Sequence, residues 1–234
     1  MVYRVLCVVP SLPENLKTET IRSILNQTYP IEMLVFLPKK VNEPRIIARV
    51  TKVLNDGLSH LRLENFDYLL RIDGDTVIPR NFLEENIREQ ADCCGRTGNA
   101  MLIKVSTFLR LMGGRLNPLS DDAYLGLKFM AEGASVISWK VKASHQSIVH
   151  SGLDDYLYRG KVYYMLGYEP IHFVLVHLIH AQAMSLKDVV SVYAYFFAAV
   201  RRTKKLDVAD YVWRYQVKRL FENFGQIKKM FGRA

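Results

Sequence analysis

The chain has 234 residues, is 50% hydrophobic and 24% charged, and carries a formal net charge of +9. That length suits one sizeable core, or a core with a small appendage. No stretch reaches about 18 apolar residues, so no spanning helix is expected. Cys7, Cys93 and Cys94 are an odd count without zinc-ligand spacing, which argues against a disulfide framework and fits a reducing compartment.

The first apolar segment, Val2 to Val9, reads as a buried strand broken at Pro10-Ser11-Leu12-Pro13. It is short and runs straight into domain-like sequence, so no secretory leader is expected. Apolar residues at Leu16, Ile21, Ile24 and Leu25 predict a helix over 16–27, stopped at Thr28-Tyr29-Pro30. Met33 to Leu37 is a second short strand, followed by a Pro38-Lys39-Lys40 loop. An apolar stripe at Ile46, Ile47, Val50, Val53, Leu54, Leu58 and Leu61 predicts a helix over 46–63. Tyr68 to Ile72 is a buried strand. Pro79 and Asn81 open a helix to about Gln90. A strand over 98–104, a turn at Gly113-Gly114, a helix over 121–131 and a strand over 135–144 complete the alternation. This order predicts an α/β layered sheet with helices on both faces. After Gly167 the pattern changes to long helical apolar-aromatic stretches. The expected division is therefore 1–167 and 168–234.

The most informative residues are Asp73-Gly74-Asp75, at the carboxyl end of the Tyr68–Ile72 strand. Glycine permits a tight bend there, so two carboxylates can converge. Ligands of open α/β sheets bind at that edge. Two carboxylates suit a hard divalent cation, Mn2+ or Mg2+, which takes oxygen ligands and bridges to phosphates. The same three residues also suit a plain solvated turn.

Other pieces fall in a recognisable order around this turn. Before it stand a first strand ending in Pro10, then Ser23-Ile24-Leu25-Asn26-Gln27-Thr28-Tyr29-Pro30, then Leu54-Asn55-Asp56-Gly57-Leu58. After it come Val77-Ile78-Pro79, Phe82-Leu83, Gly113-Gly114, Ser120-Asp121-Asp122 and Gly133. Over residues 3–167 the chain resembles the family 2 glycosyltransferases, which have the GT-A fold. The resemblance implies a nucleotide-sugar-binding sheet, a nucleotide-sugar donor and a glycan or lipid-linked acceptor. It implies Asp75 as a metal ligand and Asp73 facing the ribose or a metal-bound water, with His145 joining the metal or diphosphate; His150 is an alternative. Asp121-Asp122 resembles the pair that supplies the general base, Asp122 being the base of an inverting transfer. Either residue also suits a helix N-cap. Pro10, Arg45, Arg49, Asn55 and Arg159 are candidate donor-binding residues; Arg159-Gly160-Lys161 could face a diphosphate or form a solvated turn. Asp154-Asp155 reads as surface or N-cap.

Two departures narrow the reading. The second strand ends in Phe36-Leu37-Pro38-Lys39-Lys40, where the family usually carries a base-reading Asp, so the donor's base is left open, with Glu43 a substitute. The Gln-x-x-Arg-Trp element of processive synthases is absent after residue 122, which favours single addition.

From Arg201 onward ten Lys or Arg stand against three acids, a net +7. Trp213, Tyr215, Phe221 and Phe224 interleave with these cations. The segment either docks at an anionic membrane surface, placing the protein in the cytoplasm at the inner face of the membrane, or packs as an α-helical appendage on the sheet or on a second copy. Nucleic acid is disfavoured, because no recognition motif is present. Two rival functions remain. Asp73-Gly74-Asp75-Thr76-Val77 also fits a haloacid-dehalogenase-like phosphatase with Asp73 as nucleophile, although that nucleophile normally closes the first strand. The missing base-reading Asp also fits a catalytically degenerate scaffold or membrane-binding module.

Overall fold

The computed structural model describes residues 2–37, 41–43, 45–95, 99–120, 122–145, 152–174 and 186–231. The chain forms two compact units, Met1–Val149 and His150–Ala234.

The first unit is built on a six-stranded mixed sheet of order β2-β1-β3-β6-β5-β7. β1 (Val5–Pro10) lies between β2 (Met33–Leu37) and β3 (Tyr68–Ile72), parallel to both. These parallel pairs need crossovers, supplied by α1 (Thr18–Leu25) and α2 (Ile46–Leu58). β6 (Ala100–Lys104) runs antiparallel to β3, and β5 (Cys93–Cys94) antiparallel to β6. β7 (Val136–Ile137) closes the far edge parallel to β5.

All six residues of β1 are buried. A strand covered on both faces has no solvent side, hence the unbroken run Val5-Leu6-Cys7-Val8-Val9. One face carries Val5, Cys7, Val9, Leu70, Ile72 and Leu102, packed with Ile24 of α1 and with Phe82, Leu83 and Ile87 of α3 (Phe82–Arg88). The opposite face carries Leu6, Val8, Leu69, Met101 and Ile103 under Leu54 and Leu58 of α2. Phe108 of α4 (Val105–Met112) and Leu125 and Phe129 of α5 (Asp122–Ala131) complete that layer. The expected sheet with helices on both faces is thus found.

Three local features differ from expectation. α4 follows β6 without a break and was not predicted, because no capping side chain marks its start. Its end is marked: Gly113 adopts φ 60° and its N–H donates to Leu109 O at 2.9 Å, so the predicted turn is a helix C-cap. The predicted 135–144 strand divides into β7 and β8 (Ser144–His145), which join different sheets; β8 pairs antiparallel with β4 (Thr76–Val77). Trp139, between them, packs edge-on against Phe82 instead of continuing the ladder. β5 was missed because it has only two residues. It sends Cys93 to one face and Cys94 to the other. With Cys7 they are free and buried, as expected of thiols acting as small hydrophobes.

The second unit is helical. α6 (Leu153–Met165) packs on the helix Leu186–Val200, and a further helix spans Ala209–Phe231. α6 therefore groups with the second unit, although the sequence placed it before the 167/168 division. Gly152 N–H donates to Asp155 Oδ2 at 3.3 Å, an N-terminal cap for α6. Among the described residues no helix is long and apolar enough to cross a membrane.

Candidate active site

Pro10 and Leu37 pair in register, so β1 and β2 end level. Val8 pairs with Arg71, so two residues further on β1 has reached Pro10 and β3 has reached Asp73. The acidic turn thus leaves the sheet at its carboxyl edge, where the parallel strands stop.

Backbone bonds from three sides fix the turn. Asp73 N–H donates to Asn99 O at 2.7 Å, at the start of β6. Thr76 N–H donates to Asp73 O at 3.1 Å, closing the turn itself. Lys17 N–H donates to Gly74 O at 2.8 Å, which ties the loop after β1 to the turn. That loop comes so close that a Cβ on Gly74 would lie 2.2 Å from Ser11 Oγ and 2.4 Å from Ser11 Cβ. Glycine at 74 is therefore required by the approach of another chain segment.

The Ser23–Pro30 string has a matching role. Gln27 Nε2 donates to Pro79 O at 2.8 Å, and Gln27 Oε1 accepts from Leu83 N–H at 3.1 Å. Ser23 Oγ accepts from Ile78 N–H at 3.2 Å, and Thr28 N–H donates to Arg80 O at 2.9 Å. The end of α1 thereby latches the segment that leaves the acidic turn and enters α3.

One participant had no place in the sequence reading. Arg71, in the middle of β3, is 8% exposed. Its Nη2 lies 3.0 Å from Asp73 Oδ1. Residues two apart on a strand share a face, so an arginine inside an apolar run meets the next carboxylate on its own side. A buried guanidinium needs such a partner. Arg71 offsets one of the two negative charges of the turn and orients Asp73.

β8 brings a further predicted residue to the turn. His145 pairs in register with Thr76, the residue after Asp75; only its backbone is described. Asp122 opens α5, and its Oδ1 accepts from Ala123 N–H at 2.6 Å. The loop before it is anchored by Asn55. Asn55 Nδ2 donates to Leu116 O at 2.8 Å, and Leu116 N–H donates to Asn55 Oδ1 at 2.7 Å. The amide of Asn55 is thus engaged in holding the Gly113–Ser120 loop against α2. Arg45 pairs with Glu43 at 2.7 Å, which holds both side chains beside the start of α2. Arg49 is half-buried on α2. Arg159 lies in α6 of the second unit, its guanidinium 4.9 Å from the Tyr156 ring centroid. Asp121, His150 and the Pro38-Lys39-Lys40 loop lie outside the described residues.

Two carboxylates on one tight turn, with hard oxygen donors only, fit one side of a divalent-cation site whose remaining ligands come from water or a bound phosphate. Among the described residues no group of three or more His, Cys, Asp or Glu side chains gathers into a complete protein cage. Magnesium-type sites commonly have this incomplete protein set.

No known family model matches the sequence, and no curated sequence relative is found. Solved structures do resemble the chain. A mannosyltransferase from Pyrobaculum calidifontis, PcManGT, in complex with GDP-Man and Mn2+, aligns over 98% of this chain and 84% of its own, with TM-score 0.53 and 17% identity. TarS of S. aureus aligns over 78% of this chain and 44% of its own, at 14% identity and TM-score 0.48. A Drosophila β-1,4-galactosyltransferase 7, in complex with manganese, UDP-Gal and xylobiose, aligns over 62% of this chain and 71% of its own, at 12% identity and TM-score 0.46. The first of these carries the conclusion: the fold is GT-A-like, that of glycosyltransferases.

Proposed function

We propose that this protein is a metal-dependent glycosyltransferase of the family 2 type. It moves a sugar from a nucleotide-sugar to an acceptor hydroxyl with inversion, one sugar at a time. The observation that carries this reading is the acidic turn Asp73-Gly74-Asp75, at the carboxyl edge of a GT-A-like sheet and anchored by Lys17, Asn99 and Thr76.

Asp75 and Asp73 would hold a divalent cation, with His145 a further ligand from β8. Such a cation supplies charge neutralisation for a leaving diphosphate. The chain's own residues do the rest. Arg71 pairs with Asp73 at 3.0 Å and aims it. From the amino end of α5, Asp122 accepts the proton of the acceptor hydroxyl as that oxygen bonds to the anomeric carbon and the donor's diphosphate leaves. Pro10, with Ser11 behind Gly74, forms the wall of the donor site on the β1 side. Asn55 acts indirectly, by fixing the loop that presents Asp122. The donor's sugar and base are left open.

The phosphatase alternative is weaker. It needs its nucleophile at the end of the first strand, whereas Asp73 closes the third and pairs with Arg71. The degenerate-scaffold alternative differs in one measurable way, namely donor binding.

Thermal unfolding with UDP-, GDP-, dTDP- and CMP-sugars, each with Mn2+ or Mg2+, tests the reading. A ligand at 100 times its Kd stabilises by about 2.7 kcal/mol. The expected result is one nucleotide class that raises the melting temperature only with metal. Asp75→Ala abolishes that shift, and Asp122→Asn keeps it while abolishing transfer. Stabilisation by no donor with either metal leaves the scaffold reading in its place.

A further inference from the structure

The helix Leu186–Val200 is packed inside out. Its buried residues are Ser191, Ala194, Tyr195 and Ala198, three of them small. They allow a very close approach to α6: a Cβ on Gly160 would lie 2.0 Å from Ser191 O and 3.0 Å from Ala194 Cβ. The large apolar residues face outward instead. Leu186 is 70% exposed, Val189 42%, Tyr193 62%, Phe196 43%, Phe197 44% and Val200 82%. Their spacing of three and four residues draws one continuous stripe along the helix. Single exposed apolar residues are ordinary, but a whole helical face of them marks an interaction surface.

What borders the stripe identifies its partner. Arg201, Arg202, Lys204 and Lys205 follow directly and are exposed. The Arg201 guanidinium lies 4.5 Å from the Phe197 ring centroid, at the end of the stripe. Lys205 Nζ lies 5.7 Å from the ring centroid of Trp213, itself 40% exposed. The nearby acids are fewer: Asp188 in the first turn of the helix, and Asp207 and Asp210 after the basic run.

We propose that this face docks the protein on an anionic lipid surface. The stripe enters the interface between headgroups and acyl chains, and the basic run contacts the headgroups. Aromatic and aliphatic residues along one face with cations at its border are the composition of helices that lie in a membrane plane. A second copy of the chain fits less well. A two-fold contact with the two helices parallel would bring Arg201, Arg202, Lys204 and Lys205 of both copies together, where like charges oppose association, and an antiparallel one would set each basic run against a helix start whose single acid, Asp188, stands beside Lys187. The proposal is independent of the sugar-transfer reading, since no residue of it belongs to the acidic turn or to α5.

Sedimentation of the full-length protein with sucrose-loaded vesicles tests it. One set holds phosphatidylcholine alone, the other phosphatidylcholine with phosphatidylglycerol. Binding is expected to the anionic vesicles, to weaken as salt rises, and to be slight on the neutral ones. Arg201→Gln with Arg202→Gln should weaken binding about 25-fold, at about fivefold per cation. Tyr193→Ser with Phe197→Ser should weaken it about tenfold or more. Circular dichroism and the melting temperature should stay close to those of the unsubstituted protein, because these side chains are exposed. Three results overturn the proposal. One is no binding to either vesicle. Another is equal binding to both with the arginine pair indifferent. The last is a concentration-dependent dimer in analytical ultracentrifugation that Tyr193→Ser with Phe197→Ser abolishes, which assigns the stripe to a second copy.

Discussion

Gly74→Ala separates steric necessity from backbone freedom at the acidic turn. Gly74 does not adopt a left-handed φ, so alanine meets no backbone penalty there. The cost comes entirely from Ser11. The added Cβ would stand 2.2 Å from Ser11 Oγ, where ordinary contact begins at 3.4 Å. Rotating the hydroxyl away does not help, since Ser11 Cβ is itself 2.4 Å distant and moves only with its backbone. That backbone directly follows Pro10, which is fixed in β1 by its pairing with Leu37, and the far end of the same loop is tied to the turn by the Lys17–Gly74 bond at 2.8 Å. Overpacking of this kind costs about 2 kcal/mol. In a chain of this size that is roughly 4–8 °C of melting temperature. Thermal and urea unfolding would measure it, alone and combined with Ser11→Gly, which removes the opposing atoms. The double variant should be more stable than Gly74→Ala alone, with a coupling of about 1 kcal/mol or more. The displaced turn should also lose its metal-dependent response to the nucleotide-sugar. Gly74→Ala melting with the parent protein, or Ser11→Gly failing to rescue it, refutes the reasoning.

Other perturbations reach different parts of the molecule. Asn55→Ala removes two hydrogen bonds and leaves Leu116 N–H and C=O without them. It should cost about 2 kcal/mol in urea unfolding and lower turnover more than it weakens donor binding. Arg71→Met leaves Asp73 beside a buried apolar surface; stability should fall by about 2 kcal/mol, and Asp73→Asn in the same background should restore part of it. Asp92 is partly desolvated, which alone would raise its pKa, but hydrogen bonds from Thr107 Oγ1, Ser135 N–H and Ser135 Oγ outweigh this and hold it low. The folded chain therefore binds this proton less readily than the unfolded chain. Its stabilisation is full above the ordinary aspartate range and is lost as pH falls towards the lower folded value. Asp92→Asn should be less stable than the parent at neutral pH, and the gap should narrow on acidification. An unchanged gap would show that Asp92 is not the titrating group.

Much of the architecture was legible because burial on both faces leaves a strong imprint. The unbroken run Val5–Val9 and the stripe of Val53, Leu54 and Leu58 could each be placed from periodicity alone. The acidic turn was visible for a similar reason, since two carboxylates closing an apolar strand contrast with everything before them. What stayed hidden depended on contacts between distant residues. The string Ser23 to Pro30 could be matched to a family habit, but nothing local says that its side chains hold residues 78–83. Asn55 reads equally well as a ligand-binding amide or as a loop anchor until Leu116 is found against it. Arg71 did leave a signal that went unused: a lone charge inside Tyr68-Leu69-Leu70-Arg71-Ile72 calls for a buried partner, and Asp73 was two residues away. The strand predicted over 135–144 is interrupted where Trp139 packs on Phe82, and its two ends pair with different partners, β5 and β4, a division that depends on contacts far apart in the chain.

The bond from Asp73 N–H to Asn99 O sets an order of events during synthesis. Translation delivers Ser11, Lys17 and the acidic turn itself early, so most of the turn's surroundings are present while the rest of the chain is still unmade. The strand that follows Asn99, however, is the antiparallel neighbour of β3 and must leave the ribosome before β3 is covered on that side. A nascent chain halted short of Asn99 already carries both carboxylates but has not acquired the hydrogen bond and flanking strand that aim them. On the proposed function, the share of divalent-ion affinity that Asp73 and Asp75 supply should therefore appear in stalled ribosome complexes only once residues 100–104 have emerged from the exit tunnel, and it should rise when β8 brings His145 to Thr76.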